Sequence, residues 1–214
     1  MVMKVGILGS GEVGQALAHA FKAEGHEVML GTRDPGTPKS IDIQENVGVN
    51  VKSFAETAEF GELLVLAVMG TEVKAALELA GIKNFTHKIV IDTTNPIART
   101  ANKLPTLAVG LIDSGGEIVQ RTAPDALVVK ALNIVGNQFM YKPHFDTGTP
   151  TMFICGDNAA AKQTVADILH KFGWSDVVDV GSIASSRELE SLCILWVEIG
   201  MMTNTWHHAF GLIR

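Results

Sequence analysis

An α/β fold, with a mostly parallel sheet covered by helices on both faces, is the architecture this sequence predicts. Three observations lead there. Strand-like and helix-like segments alternate from the first residues, the connections between them are short, and one run, Leu63 to Met69, is apolar without interruption. Strands buried on both faces read as continuous apolar runs, and short strand–helix alternation builds crossover units.

Taken in order, Val5 to Leu8 is a short apolar strand ended by glycine. From Gly11 to Glu24, Val13, Leu17, Ala20 and Phe21 recur at helical spacing, and Gly25 supplies the stop. Glu27 to Leu30 predicts a second strand and Asn50 to Phe54 a third, with Ser53 placed to cap a helix through Phe60. Leu63 to Met69 is the fourth strand, Thr71 to Leu79 a helix, and Ile89 to Asp92 the fifth strand, closed by Thr93-Thr94-Asn95-Pro96. Between Ile97 and Pro124 the pattern is less regular, and its clear signal is a capping box of Ser114 with Glu117. Ala126 to Leu132, Thr151 to Cys155 and Val177 to Val180 predict further strands, with Asn158 to Phe172 helical between the last two. From Ser182 a long final helix carries Leu189, Leu192, Cys193, Trp196 and Gly200 at steps of three and four. No repeat or low-complexity linker interrupts the chain.

Composition narrows the function. In 214 residues, 47% are hydrophobic and 19% charged, enough apolar material for a large core and too much for disorder. Seventeen basic against 23 acidic residues leave a net charge of −6, which excludes the basic footprint a nucleic-acid partner needs. Cys155 and Cys193 form no spacing motif, so neither a disulfide framework nor a zinc knuckle is expected, and a reducing compartment fits. No cluster of His, Cys, Asp and Glu has metal-ligand spacing. The longest stretch without Asp, Glu, Lys or Arg, Ile199 to Ile213, is too short to span a bilayer, which takes about 20 apolar residues. The first residues lead straight into a strand with no cleavage site, so the chain reads as cytoplasmic with no membrane partner.

Gly9-Ser10-Gly11-Glu12-Val13-Gly14 is a G-x-G-x-x-G between the first strand and the first helix. The glycines serve a tight turn, close approach of backbone to a pyrophosphate, and helix–strand packing, while the helix start directs free N–H groups and its positive dipole end at the phosphates. In that position the motif predicts a Rossmann-type doubly wound sheet over residues 1–135, with a small α/β extension and long terminal helix over 136–214 packed on it as one unit. A site for NAD usually places Asp or Glu at the end of the second strand. Here Gly31-Thr32-Arg33 stands there instead. A hydroxyl and a guanidinium suit the 2′-phosphate of NADP(H). The structural alternative pairs Arg33 with Asp34 in a surface loop, and Asp34 leaves use of NAD open.

At this point the chain resembles the coenzyme F420-dependent NADP oxidoreductase family, whose domain type also forms the cytoplasmic part of the STEAP metalloreductases. The resemblance rests on the glycine motif, Gly31-Thr32-Arg33-Asp34-Pro35, Val128-Val129-Lys130-Ala131-Leu132-Asn133, Phe153-Ile154-Cys155-Gly156-Asp157, the Ser185 to Leu192 segment and the closing Gly211-Leu212-Ile213-Arg214. It implies an NADP(H) site in which Ser10 to Val13 hold the pyrophosphate and Thr32 with Arg33 the 2′-phosphate. It implies that Met69 lies against the cofactor, with Asn95, Ala131 and Asn133 near the nicotinamide. Two departures stand out: Met69-Gly70-Thr71 occupies a place where deazaflavin reductases often carry proline and an aromatic, and Asn133 a position commonly histidine.

Hydride exchange between a nicotinamide and a flavin-like ring rests on proximity and orientation more than on proton transfer. A hydroxyacid dehydrogenase on this fold needs a general acid, often a lysine of the second domain, and no lysine follows Lys171. The expectation is therefore hydride transfer between NADP(H) and a deazaflavin (coenzyme F420), FMN or FAD. The rivals are an NADPH-dependent reductase of a small C=N or C=O substrate and a non-catalytic NADP(H) sensor. Asn133 and His207 are the candidate catalytic residues. His207 and His208 read more simply as one packed and one solvated side chain. Trp196, Trp206, Phe210 and Met201-Met202 read as core or as the seam of a homodimer through the final helix, which a mean hydropathy of +0.24 supports. Lys130 sits in a buried strand pattern, to reach an edge, the cofactor's phosphates or a carboxylate. Cys155 and Cys193 read as structural thiols.

Overall fold

The computed structural model describes residues 2–99, 105–146 and 148–214. Its elements are β1 (Lys4–Leu8), α1 (Glu12–Ala23), β2 (Glu27–Thr32), α2 (Pro38–Val47), β3 (Asn50–Ser53), α3 (Phe54–Phe60), β4 (Leu63–Leu66) and α4 (Val73–Ala80). There follow β5 (Ile89–Asp92), β6 (Ile97–Arg99), β7 (Pro105–Leu107), α5 (Gly115–Thr122), β8 (Leu127–Lys130), β9 (Thr151–Gly156), α6 (Ala159–Lys171), β10 (Asp176–Asp179) and α7 (Ser186–Thr203). Part of the irregular stretch after Ile97, residues 100–104, lies outside the described residues.

Eight strands form one sheet in the order β3-β2-β1-β4-β5-β8-β9-β10, with β6 and β7 in a separate antiparallel ribbon. Neighbours in the large sheet run parallel except β8 and β9. The chain winds outward to β3, returns to lay β4 beside β1, and then winds the other way. That reversal opens a crevice at the carboxyl ends of β1 and β4, where doubly wound folds bind ligands.

Side-chain alternation along the strands builds the two layers. Val5, Ile7, Leu30, Val65, Ile91 and Val129 face one core with Leu17 and Phe21 of α1, Ile43 of α2 and Val165 and Leu169 of α6. Leu8, Leu64, Leu66, Val90 and Val128 face the other with Phe54, Val73, Leu77 and Val119. Burying a large apolar side chain is worth about 1.5–3 kcal/mol. Phe21 meets Phe172 edge-on with ring centroids 4.9 Å apart, and Tyr141 donates its hydroxyl to Glu24 Oε1 at 2.9 Å, so the last third of the chain is fastened to α1.

Several boundaries differ from expectation. The strand predicted for Leu63 to Met69 stops at Leu66, leaving Ala67 to Met69 as the loop that edges the crevice, and a 3-10 turn, Gly70–Glu72, precedes α4. A further 3-10 turn, Ile183–Ser185, precedes α7. Helix α2 was not expected, although its signals are present: the Thr37 hydroxyl accepts from Ser40 N–H, Pro38 takes the first position, and Gly48 closes it at φ 68°. Ser53 and Glu56 make a full capping box. Ser114 caps α5 through the Glu117 N–H, but its own N–H goes to Asp113, while the Glu117 carboxylate accepts from the Ser114 hydroxyl and from Arg187.

Candidate functional site

The first βα turn is fixed by backbone sterics. Gly9 lies at φ 127°, a region L side chains rarely adopt, and donates its N–H to Gly31 O at 3.0 Å. A Cβ on Gly14 would collide with the Gly9 carbonyl oxygen, so α1 seats on the turn only because both are glycine. Gly11, the N-cap of α1, brings no side-chain cap and borders open space. The first N–H groups of a twelve-residue helix are thus left for a ligand.

That turn forms one wall of a cavity of about 460 Å³ at the β1/β4 reversal. Gly9, Ser10, Gly11, Thr32, Arg33 and Met69, all singled out in the sequence, line it together. Glu12, exposed, and Val13 begin α1 and do not line it. Sequence reasoning missed Lys39, which lines the cavity beside Arg33, and the apolar wall of Phe54, Ala75, Ala76 and Leu79. Lys39 comes from the first turn of α2, so recognising the Thr37-Pro38 helix start would have found it. Met69 is 71% exposed at the rim.

Beyond Met69 the chain passes to the second cluster. A Cβ on Gly70 would strike the backbone of Asn95, so loop β4–α4 and loop β5–β6 touch there. Asn95 Nδ2 donates to Asn133 O at 2.8 Å, and Asn133 Nδ2 donates to Asn95 Oδ1 at 2.9 Å and to Leu189 O at 3.1 Å. Between fully buried Ala131 and Asn133, Leu132 is held at φ 60° while only 2% exposed, a strained state that persists where surrounding structure enforces it. Asn133 is 3% exposed, yet its Oδ1 has no hydrogen-bond partner. A buried acceptor left unpaired costs about 1–3 kcal/mol.

Under this amide pair lies a charge cluster with no solvent exposure. Lys130 Nζ donates to Thr94 O at 2.7 Å and stands 2.8 Å from both Asp92 Oδ2 and Glu190 Oε1. Asp92 and Lys130 are register partners on β5 and β8. Asp92 Oδ1 accepts from Thr94 N–H and hydroxyl, and Glu190 accepts from Gly115 N–H at 2.9 Å and Gly116 N–H at 3.0 Å, at the start of α5. Burial alone pushes the Lys130 ammonium down, but the two carboxylates outweigh it and hold it above its ordinary value. Of the three fates read for Lys130, pairing with carboxylates is the observed one.

Burial pushes the Cys155 thiol up to about 11 and the Cys193 thiol up to about 12, so both are inert at neutral pH. His207 packs against Phe139 and Phe145, with centroids 4.7 and 5.3 Å away, and lines a separate cavity of about 400 Å³ with the C-terminal segment. His208 stacks on Trp196, its Nε2 2.9 Å from the Trp196 carbonyl oxygen. Among the described residues no group of three His, Cys, Asp or Glu is placed to hold a metal, and no helix is long and apolar enough to cross a membrane.

These groups fit a phosphorylated dinucleotide on three counts. An uncapped helix start faces the cavity, Arg33 and Lys39 stand beside Thr32 where a carboxylate would repel phosphate, and a buried amide oxygen awaits a donor.

Comparisons with known proteins agree. The family model for NADP oxidoreductase, coenzyme F420-dependent, matches residues 4–96. Metalloreductase STEAP3 of Rattus norvegicus is 29% identical over 88% of this chain, but the chain spans only 36% of its length. The F420-dependent NADP reductase of Methanocaldococcus jannaschii is 24% identical, with 93% of each chain covered. The crystal structure of a putative F420-dependent NADP-reductase from Arthrobacter sp. FB24 superposes with a TM-score of 0.94 at 37% identity, covering 99% of this chain and all of that one. The chain therefore belongs to the coenzyme F420-dependent NADP oxidoreductase family.

Proposed function

We propose that this protein is an NADP-dependent oxidoreductase that moves hydride between NADP(H) and a planar deazaflavin or flavin ring presented at the carboxyl ends of β4, β5 and β8. NADPH supplies the chemistry, a hydride from its dihydronicotinamide. The chain's residues hold and orient it. The N–H groups at the start of α1 take the pyrophosphate, Thr32, Arg33 and Lys39 the 2′-phosphate, and the wall of Phe54, Ala75, Ala76 and Leu79 the adenine. Asn133 Oδ1, buried and without a partner, would be the acceptor for the carboxamide of a bound nicotinamide.

The observation that carries the acceptor class is the chemistry of the nicotinamide end. Its polar groups include two amides, an ammonium already committed to two carboxylates and a carbonyl, and the Thr93 and Thr94 hydroxyls, which donate to Leu66 O and Asp92 Oδ1. Reduction of a C=O or C=N bond needs a proton delivered to the substrate, which such groups do not supply. A ring acceptor takes hydride by stacking and its remaining proton from water. Asn133 then orients rather than titrates, and the aromatic packing of His207 supports a role outside proton transfer.

A stopped-flow panel of NADPH against oxidised deazaflavin, FMN, FAD and ferric chelates tests this. Fast oxidation by a ring acceptor is expected. Turnover of a simple imine or ketone with every ring acceptor inert would overturn it, and binding of NADPH without oxidation by anything would favour a sensor. We also propose a cytoplasmic homodimer. The two buried free cysteines support the compartment, and exposed Leu195, Met201 and Met202 on α7 support the seam. Sedimentation checks the second point, a monomer at micromolar concentration refuting it.

A further inference from the structure

The buried cluster of Lys130, Asp92 and Glu190 is larger than stability alone explains. Burying ions costs several kcal/mol each, and apolar replacements of the same volume are often as stable or more so. Its placement gives a reason. One of its contacts and one of its members adjoin, in the chain, the residues that hold Asn133. Thr94, whose carbonyl Lys130 holds, precedes Asn95, and Glu190 follows Leu189, whose carbonyl accepts from Asn133. The cluster thereby grips both segments between which Asn133 is suspended. Glu190 ties α7 both to the first turn of α5, beside the Arg187–Glu117 pair, and to Lys130 of β8.

We infer that Glu190, through Lys130 and Asp92, is a positioning residue for the nicotinamide, so that the C-terminal helix sets the orientation of the reacting ring rather than merely covering the fold. The inference rests on the nucleotide reading above. In physical terms, Asn133 Oδ1 is useful only if the loop carrying Asn95 and the first turns of α7, which carry Leu189, hold their spacing. A buried ion cluster, one ammonium shared by two carboxylates, fixes that spacing better than an apolar contact, which slides. The 2′-phosphate end shares none of these residues, so the two ends should respond separately.

The experiment compares two ligands on Glu190→Gln. An amide keeps the volume but presents a donor where the carboxylate accepts, so one of the three groups it holds loses its partner. The probes are 2′,5′-ADP, which fills only the adenosine end, and NADPH, whose nicotinamide fluorescence reports how firmly the ring is held. The expected result is affinity for 2′,5′-ADP within about twofold of wild type, an NADPH-over-2′,5′-ADP preference reduced about tenfold, and bound-ring fluorescence moved toward that of free NADPH. Glu188→Gln, on an exposed position of the same helix turn, should leave all three unchanged.

Should Glu190→Gln fail to fold, the neutral triple variant Asp92→Asn, Lys130→Met, Glu190→Gln decides, since it leaves no ion unpaired, and the same split is expected. A folded variant with both ligands and the fluorescence at wild-type values overturns the inference, as does an equal loss of both affinities. Failure of the wild-type protein to bind 2′,5′-ADP would instead sink the nucleotide reading beneath it.

Discussion

The two ends of the candidate site are built by opposite means. The phosphate end is local, since Gly9 to Gly14 and Thr32 to Lys39 form it from one crossover unit and the helix that follows. Its shape is dictated by what has no side chain, and its charges stand at the surface. The nicotinamide end is assembled from residues 92–95, 115–116, 130–133 and 189–190, held by a cluster with no exposure at all. A short motif can specify a loop by sterics. Placing a buried amide oxygen takes ion pairs and hydrogen bonds between residues far apart in the chain.

The largest expected effect attacks the buried end. Lys130→Met leaves Asp92 and Glu190 buried side by side without a cation, and unfolding free energy should drop by about 3–5 kcal/mol in a urea titration. A loss below 1 kcal/mol would show that the cluster relaxes or takes up a proton cheaply. At the other end, Arg33→Ala should weaken NADPH by about 1.5–3 kcal/mol while sparing NADH and the fold. Equal losses for both nucleotides would refute the 2′-phosphate assignment. Lys39→Ala should follow the same pattern with a smaller effect, as a point charge lacking the bidentate fork.

The seam between the ends is Gly70. Gly70→Ala must displace the Asn95 backbone, costing about 1–3 kcal/mol of stability and slowing hydride transfer with 2′,5′-ADP binding intact. Unaltered hydride transfer would mean that Asn95 does not set the ring. The smallest effect lies where the start of α7 meets the start of α5 and Arg187 holds the Glu117 carboxyl below its ordinary range through hydrogen bonds of 2.5 and 2.8 Å. A depressed carboxyl contributes stability above its unfolded pKa, near 4.3, and loses it as pH falls through the folded value. Glu117→Gln should cost under about 1 kcal/mol at neutral pH and flatten the acid limb of the stability curve. An acid limb as steep as wild type would remove Glu117 from that account.

Legibility in the sequence followed the same division. Glycines, strand ends and the Thr32-Arg33 pair were readable because each is a local steric or charge requirement. Helix α2, and with it Lys39, escaped notice because its signal is a cap and a proline rather than an apolar stripe. The resemblance to a family suggested Asn95, Ala131 and Asn133. Their reciprocal hydrogen bonds, and the fact that Ala131 is fully buried, emerged only from the fold.

What the sequence determined alone was the crossover unit and its glycine turn, since periodicity and glycine sterics act over short range. Tertiary structure decided the fate of Lys130, the reach of α7 and the orphaned oxygen of Asn133. Pairing a buried charge depends on which distant strand lies alongside, and only the register of β5 on β8 and the docking of α7 supply that neighbour.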